Sequence, residues 1–491
     1  MIRTFFDILR SAFRGLRVGP EQRGLLGNSI IVGVTVWAVV FVLKEAVHWL
    51  FHGVLHWIEH AAHPWVLFIP LIIGALIVGL IAHFRSNVIN YRDEEGEILS
   101  LNDVEGDGIE RTIALYYSSD VSVEYGMVTE EQGLESRWQE PTFALSIRKF
   151  LATLATLGSG ASGGLEGSSV LVGESLAAGI YKLRTAMLGS EEESLSKRLT
   201  RTLTPSNPAH LQVIQLGGVA AAVSTLLGTP LAAAFFASEI MYRNRPLIDK
   251  LFYALIPAMV ARLLSSFVTG ARPLLFESAF LQSPPVSLKY VAFLILLGIG
   301  IAFVGQTYRL LSLRSNAWFQ DGISNRFARL TLGATLVGVI ALAVYWIATR
   351  FGLSDHSLAL VLGSGESVIA EALEGGLTMT VALLALFAKM FATVATIGSG
   401  GSAGLLIPSL FFGTMVAAFL ADLGDLSADT LIVPAMAGGL IALVNVPLTA
   451  ILFTVELFGV DYMMPALVVL IVTGLLSNPK TLYRTQMEAP N

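Results

Sequence analysis

Long apolar runs separated by polar stretches recur along this chain of 491 residues. Gly, Ser and Pro interrupt the apolar sequence between 142 and 240 and between 355 and 478, leaving pieces often too short to cross a bilayer. Five other runs can each cross a hydrocarbon core of roughly 30 Å as one helix. We predict complete membrane helices in these five and broken helices in the interrupted regions; the five cover about 25–50, 64–84, 250–270, 287–312 and 327–349.

Interrupted helices at membrane depth indicate a transport pathway. An unpaired backbone group in lipid costs several kcal/mol, so irregular backbone occurs there only where protein or a polar cavity surrounds it. We therefore predict that the two interrupted regions line the route of a solute.

The composition favours a polytopic membrane protein. Hydrophobic residues make up 54% of the chain and charged residues only 14%, which is more apolar surface than a soluble core would bury. The net charge of -6 gives no reason to expect a nucleic-acid partner. Because the chain has no cysteine, disulfides and thiol chemistry are excluded. We predict no cofactor and no resident metal.

Residues 1–24 are predicted to form an amphipathic helix on the cytoplasmic surface. Their arginines outnumber the two acidic residues, Asp7 and Glu21, and the positive-inside rule places such a segment in the cytoplasm. We expect a multi-pass protein of the cell membrane with a cytoplasmic N-terminus. The arginines are Arg3, Arg10, Arg14, Arg17 and Arg23.

One block of the sequence occurs twice. Lys149–Gly173 and Lys389–Gly413 are identical at 13 of 25 positions at a constant offset of 240. Homologous halves with discontinuous helices at matching positions indicate a solute site near the membrane midplane. We assign 25–245 to a first membrane repeat, 250–478 to a second and 479–491 to a short tail. A second match, at an offset of 217, relates Pro230, Leu231, Ala233, Phe236 and Glu239 to Pro447, Leu448, Ala450, Phe453 and Glu456.

Each copy of the block places a Gly/Ser run directly before a predicted helix. The runs are Gly158–Gly164 and Gly398–Gly404, and the helices begin at Leu165 and Leu405. The free N–H groups of a helix start carry about half a positive charge and bind anions. Close packing of small residues is the structural alternative, and the presence of two copies favours the anion site. Glu166, in the first turn, would compete with the anion until it is protonated.

These motifs resemble those of the CLC family of chloride channels and chloride/proton antiporters. Gly164-Leu165-Glu166-Gly167-Ser168 is similar to the family motif GREGP, and Gly404-Leu405-Leu406-Ile407-Pro408 is similar to GxFxP. The likeness covers about 25–478, and without a C-terminal CBS pair the chain resembles the prokaryotic members, which implies the bacterial inner membrane. The likeness also implies an all-α fold of two inverted repeats of broken and tilted helices, and a homodimer in which each subunit has its own anion pore.

The resemblance also implies roles for individual residues. Glu166 would be the gating glutamate, and Tyr462, early in the last long helix, is the candidate for the family's tyrosine ligand. Asp107 stands where the family motif GSGIP has a hydroxyl that binds the central anion. An ionised Asp107 would repel an anion, so it is protonated or salt-bridged, or the site or substrate differs. The implied anion-binding amides are those of Leu165, Glu166, Gly167, Leu405, Leu406 and Ile407.

Proton coupling in the family usually requires a glutamate directly after the position of Glu239. This chain has Ile240 there, which favours a passive, chloride-type channel. Some family antiporters also lack that glutamate, so proton-coupled exchange stays open, with Glu239 as a proton acceptor or as a structural residue. The sequence leaves fluoride or another small anion open as well, because Asp107 and Tyr462 occupy the positions that would decide the selectivity.

Four histidines recur at every fourth position, at 48, 52, 56 and 60. On one helix they would form a single stripe, beside Trp49 and Trp57. The interpretations are an interfacial aromatic cluster, a pH sensor or a zinc or copper site.

Two other classes of protein share parts of this pattern. Gly160-Ala161-Ser162-Gly163 matches the nucleophile motif of intramembrane serine proteases, which need a neighbouring histidine, but its recurrence as Gly400-Gly401-Ser402-Ala403 indicates architecture rather than an enzyme. A sodium-coupled symporter would also have broken helices, but it would present unwound carbonyls rather than helix starts.

Overall fold

The computed structural model describes residues 20–93, 96–118, 142–188, 208–243, 246–270, 281–353, 357–477 and 482–488. Most of the predicted N-terminal surface helix lies outside these residues and stays a prediction.

The helices up to residue 239 belong to the first sequence repeat. They are α1 (Pro20–Glu59), α2 (Phe68–Arg85), α3 (Ile109–Tyr117), α4 (Thr142–Gly158), α5 (Glu166–Leu188), α6 (Pro208–Leu227) and α7 (Pro230–Glu239). A single 3-10 turn, Pro64–Leu67, precedes α2.

The remaining helices belong to the second repeat. They are α8 (Ile248–Thr269), α9 (Leu288–Gly322), α10 (Arg326–Phe351), α11 (Glu366–Leu373), α12 (Met379–Gly398), α13 (Leu406–Gly424), α14 (Ala428–Leu443), α15 (Pro447–Phe458) and α16 (Met463–Leu476). A 3-10 turn, Val460–Tyr462, leads into α16.

Eight helices of the described chain are long and apolar enough to cross a membrane. Five of them, α1, α2, α8, α9 and α10, confirm the runs predicted as complete spans. The others are α6, α12 and α13, which lie in the interrupted regions and are largely buried within the protein. Helices α7 and α15 have only 10 and 12 residues, too few to span at about 1.5 Å per residue, as predicted for broken helices.

An antiparallel hairpin that the sequence analysis did not predict connects α2 to α3. Strand β1 (Val88–Arg92) pairs with β2 (Ile98–Asn102), and Ile89 and Tyr91 are buried while their neighbours Val88 and Arg92 are exposed. The all-α expectation therefore describes the membrane body but not this connection. Because α1 and α2 cross the membrane in opposite directions, the hairpin lies on the side where α1 begins, called here the hairpin side.

Reciprocal hydrogen bonds relate the two repeats. The Ser162 N–H donates to Thr396 Oγ1 at 3.2 Å, and the Ser402 N–H donates to Thr156 Oγ1 at 3.1 Å. Donors and acceptors both differ by the sequence offset of 240, so each bond is the symmetry mate of the other. The pair α4–α5 therefore meets the pair α12–α13 as two inverted copies of one unit.

Candidate functional site

The two Gly/Ser segments meet at the centre of the protein. The Gly164 N–H donates to Gly404 O at 2.8 Å and the Gly404 N–H donates back to Gly164 O at 2.6 Å. A Cβ at Gly404 would lie 2.5 Å from the Gly167 backbone nitrogen, so the approach depends on glycine. The starts of α5 and α13 are thereby held side by side, as the repeated motif predicts.

Glu166 connects these two helix starts. Its side chain belongs to α5, is 1% exposed, and accepts a 3.4 Å hydrogen bond from the Ile407 N–H in the first turn of α13. The carboxylate thus interacts with one of the amides predicted to bind an anion. The six residues predicted to supply anion-binding amides, Leu165, Glu166, Gly167, Leu405, Leu406 and Ile407, all lie in these two short, buried segments.

Two buried lysines hold the loops on either side of the helix starts. Lys149 Nζ donates to the carbonyls of Val104, Glu105 and Gly106, the last at 2.7 Å. Lys389 Nζ donates in the same way to three carbonyls, those of Val361, Leu362 and Gly363. These lysines begin the two copies of the repeated block, but that position alone predicts no role for them.

The loop before α3 presents three acidic residues, each opposed by its own cation. Asp103 forms an ion pair with Arg148, and Glu105 interacts with Arg326 at 2.7 Å and Arg329 at 2.5 Å. Asp107 is the third, and the charge of Lys149 acts on it. A loop rich in acidic residues therefore borders the helix starts on the hairpin side, and cations from neighbouring helices compensate its charge.

Asp107 is anchored to the backbone at the start of α3. Its Oδ1 accepts from the Ile109 N–H at 2.9 Å, while Oδ2 is buried and has no hydrogen bond of ordinary geometry among the described residues. Its backbone carbonyl would lie 2.8 Å from a Cβ at Gly167, so the residue borders the start of α5. Burial of the Asp107 carboxyl group favours its protonated form, whereas the neighbouring Lys149 supplies a compensating cation, so both of these readings stay open.

Two buried tyrosines, Tyr483 and Tyr308, interact with Asp107, whereas the predicted ligand Tyr462 lies elsewhere. The buried Tyr483 hydroxyl interacts with the Asp107 carboxylate. The Tyr462 hydroxyl instead donates to Gln282 O at 2.7 Å and interacts with Asp429. Asp429 follows the C-terminal end of the 19-residue α13, so this tyrosine lies far from the start of that helix. Tyr462 as an anion ligand therefore stays a prediction, and the structure adds a tyrosine beside Asp107 from the segment that follows the last long helix.

Glu239 caps the start of a helix in the other repeat. Its carboxylate accepts from the Leu448 and Thr449 N–H groups, both at 2.9 Å, while Glu456 accepts from Leu231 at 3.1 Å and Ala232 at 2.9 Å. The exchange is reciprocal at the offset of 217, which favours the structural interpretation of Glu239.

A second loop lies on the side opposite the hairpin. A Cβ at Gly363 would lie 2.6 Å from the Phe51 ring, near the end of α1. The same loop leads into α11, whose first residue, Glu366, interacts electrostatically with Glu166. Lys44 of α1 acts on Glu166 as well. Charged side chains thus lie on both sides of the helix starts.

The histidine stripe lies on the exposed outer part of α1. The rings of His48 and His52 are 4.2 Å apart, and those of His56 and His60 are 4.1 Å apart. His48 and His52 line a groove of about 650 Å³ with Trp49 and Trp57. Within the described residues no group of three or more potential ligands is arranged to hold a metal.

The family model described as voltage gated chloride channel matches residues 112–478 of this chain. The chain belongs to the CLC family. Curated relatives include the voltage-gated ClC-type chloride channel ClcB of Escherichia coli, 26% identical over 337 residues, which are 67% of this chain and 71% of that protein. The chloride/fluoride channel protein of Pseudomonas syringae is 26% identical over 278 residues, 56% of this chain and 58% of that protein.

Solved structures show the same fold at low sequence identity. A slow cyanobacterial Cl-/H+ antiporter has a TM-score of 0.69 at 18% identity and covers 94% of this chain and 96% of its own. A CLC-type fluoride/proton antiporter has a TM-score of 0.70 at 19% identity, with 96% and 100% covered. The CLC family consists of anion channels and transporters rather than enzymes, so this chain is a membrane protein of anion transport.

Proposed function

We propose that this CLC protein conducts a small anion of the chloride type between the starts of α5 and α13, and that Glu166 gates the route. The observation that supports this most directly is the bond from the Ile407 N–H to the Glu166 carboxylate. A negative group already occupies an amide at a helix start, where the partial positive charge attracts anions. An anion takes that place when Glu166 is protonated or swings away.

The surroundings of the helix starts suit weak anion binding. Lys149 and Lys389 lie one on each flank but donate to backbone carbonyls, so their charges attract an anion without a direct contact. Asp107 and Glu366 lie on opposite sides of the starts and oppose that attraction. A site with partial charges and balanced neighbours releases its ion readily, which throughput requires.

We favour passive flux over proton-coupled exchange. Ile240 is buried and apolar, and the adjacent Glu239 already accepts hydrogen bonds from the start of α15. Neither side chain is therefore free to accept a proton that Glu166 releases.

Proton-coupled exchange is the second candidate, and the interaction between Glu366 and Glu166 favours it. Two carboxylates acting on each other at membrane depth can hold and pass a proton. Relatives are named both as channels and as exchange transporters, such as the H+/Cl- exchange transporter ClcA of Salmonella, 26% identical over 63% of this chain and 60% of that protein.

The two candidates differ in whether an anion gradient moves protons. Purified protein in liposomes, with a chloride or fluoride gradient and the voltage clamped by potassium and valinomycin, is monitored with an internal pH dye. We expect anion efflux without uphill proton movement. Proton uptake against its gradient, lost in Glu366→Gln, would replace passive flux by exchange, and no efflux of either anion would contradict the pathway.

A further inference from the structure

The segment 482–488 returns to the protein after α16 and is held there by several bonds. Gln486 Nε2 donates to Ile240 O at 2.9 Å. The Met487 N–H donates to the Tyr117 hydroxyl at 3.1 Å, and Met487 O accepts from the Arg243 N–H at 3.0 Å. Most of these contacts use backbone atoms of the segment, so they fix its course and with it the position of Tyr483.

Arg484 anchors the same segment to the hairpin and to α3. Its guanidinium pairs with Asp93 Oδ2 at 2.7 Å and with Glu97, directly beyond β1 and before β2. Its backbone N–H donates to Glu110 Oε1 at 2.9 Å, in the first turn of α3. The hairpin adds a further bond, from the Tyr91 hydroxyl to Thr485 O at 3.2 Å. The hairpin and the segment together form what we call the clasp.

One end of the clasp, at Tyr483, lies beside the proposed anion route. Tyr483 immediately precedes Arg484, is 3% exposed, and interacts with Asp107. The phenol therefore lies against the acidic loop on the hairpin side of the helix starts. The backbone bonds fix the course of the segment, and the ion pairs of the Arg484 side chain hold the stretch next to Tyr483, so losing them would let Tyr483 shift while the segment stays in place.

We propose that Arg484 is a positioning residue, which holds Tyr483 against Asp107 through the clasp and so narrows the anion route on the hairpin side. This rests on the proposed function of the helix starts. The Arg484 side chain is 34% exposed while Asp93 is 5% exposed, so the ion pair is accessible to solvent on one face and can open. Glu166 restricts passage at the helix starts, and the clasp restricts it separately at this end.

The test uses Arg484→Gln, which removes the ion pairs but keeps the backbone N–H bonded to Glu110. Chloride efflux per active transporter is measured in liposomes in a Glu166→Ala background, so that the restriction at the helix starts is already absent. We expect efflux to rise about fivefold, the factor that corresponds to losing a partly exposed ion pair. A variant that only destabilises the protein would lower the active fraction and would not raise the rate of each transporter.

Three further variants make the result decisive. Arg484→Lys restores a cation and should return the rate to that of the background, while Arg92→Gln removes an exposed cation of the same hairpin and should change nothing. Adding Arg484→Gln to Tyr483→Ala should give no further increase, since the side chain that Arg484 positions is already gone. An unchanged rate in Arg484→Gln, or an effect that adds to Tyr483→Ala, would overturn the proposal. Absence of chloride efflux from every variant would instead contradict the proposed function.

Discussion

Glu166→Gln keeps the size of the gating side chain and removes its negative charge. In the native protein the buried carboxylate accepts the Ile407 N–H at 3.4 Å. A hydrogen bond to a charged group contributes about 1.5–3 kcal/mol, and this long bond belongs at the weak end. In the variant, an anion displaces a neutral amide group instead of this carboxylate. The anion gains about 1.5 kcal/mol from the difference, which is roughly tenfold in apparent affinity.

The assay is chloride efflux from liposomes, measured over chloride concentration at a series of pH values. The native protein should conduct faster as the pH falls, because protonation discharges Glu166, whereas Glu166→Gln should conduct at every pH with a half-saturating chloride concentration about tenfold lower. Glu174→Gln is the matched control, since Glu174 is a buried glutamate of the same helix that is bonded to Gln215 at 2.7 Å. It should keep the native pH dependence. The same pH dependence in Glu166→Gln as in the native protein would refute the gate.

Three further predictions concern the framework of the site. Gly404→Ala should prevent recovery of monodisperse protein, because its Cβ would lie 2.5 Å from the Gly167 nitrogen, whereas Gly53→Ala, with no atom within 4 Å, should be recovered normally on size-exclusion chromatography. Lys149→Met should lower chloride efflux at least about tenfold, because three carbonyls and Asp107 lose their cation; native rates would contradict this. Glu239→Gln should lower thermal stability by about 1–2 kcal/mol, through the weakened cap of α15, and leave the chloride-to-proton ratio unchanged; a changed ratio would assign Glu239 to proton transfer.

The central site could be predicted because its sequence occurs twice. A single Gly/Ser run is compatible with close packing alone, but two copies at a constant offset implied two equivalent helix starts, and the bonds between Gly164 and Gly404 join them. Glu166 followed from its place in the first turn. The complete spans could be predicted from length and hydropathy, since α1, α2 and α8 to α10 face lipid over much of their length.

The position of Tyr483 could not be predicted because it depends on tertiary contacts. The tyrosine lies in a short segment without periodicity, and its place beside Asp107 is fixed by bonds to residues nearly four hundred positions earlier, such as Glu110 and Tyr91. Hydropathy gives no indication that a polar tail folds back into the membrane body. The hairpin left a weak signal, the alternation around Ile89 and Tyr91, but a stretch of five residues between apolar helices is easily taken for a loop.

The pair of backbone hydrogen bonds between Gly164 and Gly404 limits how the protein can change conformation. A transporter whose repeats rock against each other must separate surfaces at the repeat interface, yet here the interface itself is closed by 2.8 Å and 2.6 Å backbone bonds. Moving one helix start alone would break both bonds in a dry, glycine-lined contact. For passive flux and for exchange alike, we therefore expect gating through rotation of individual side chains and local shifts of the flanking segments, with the two helix starts kept together.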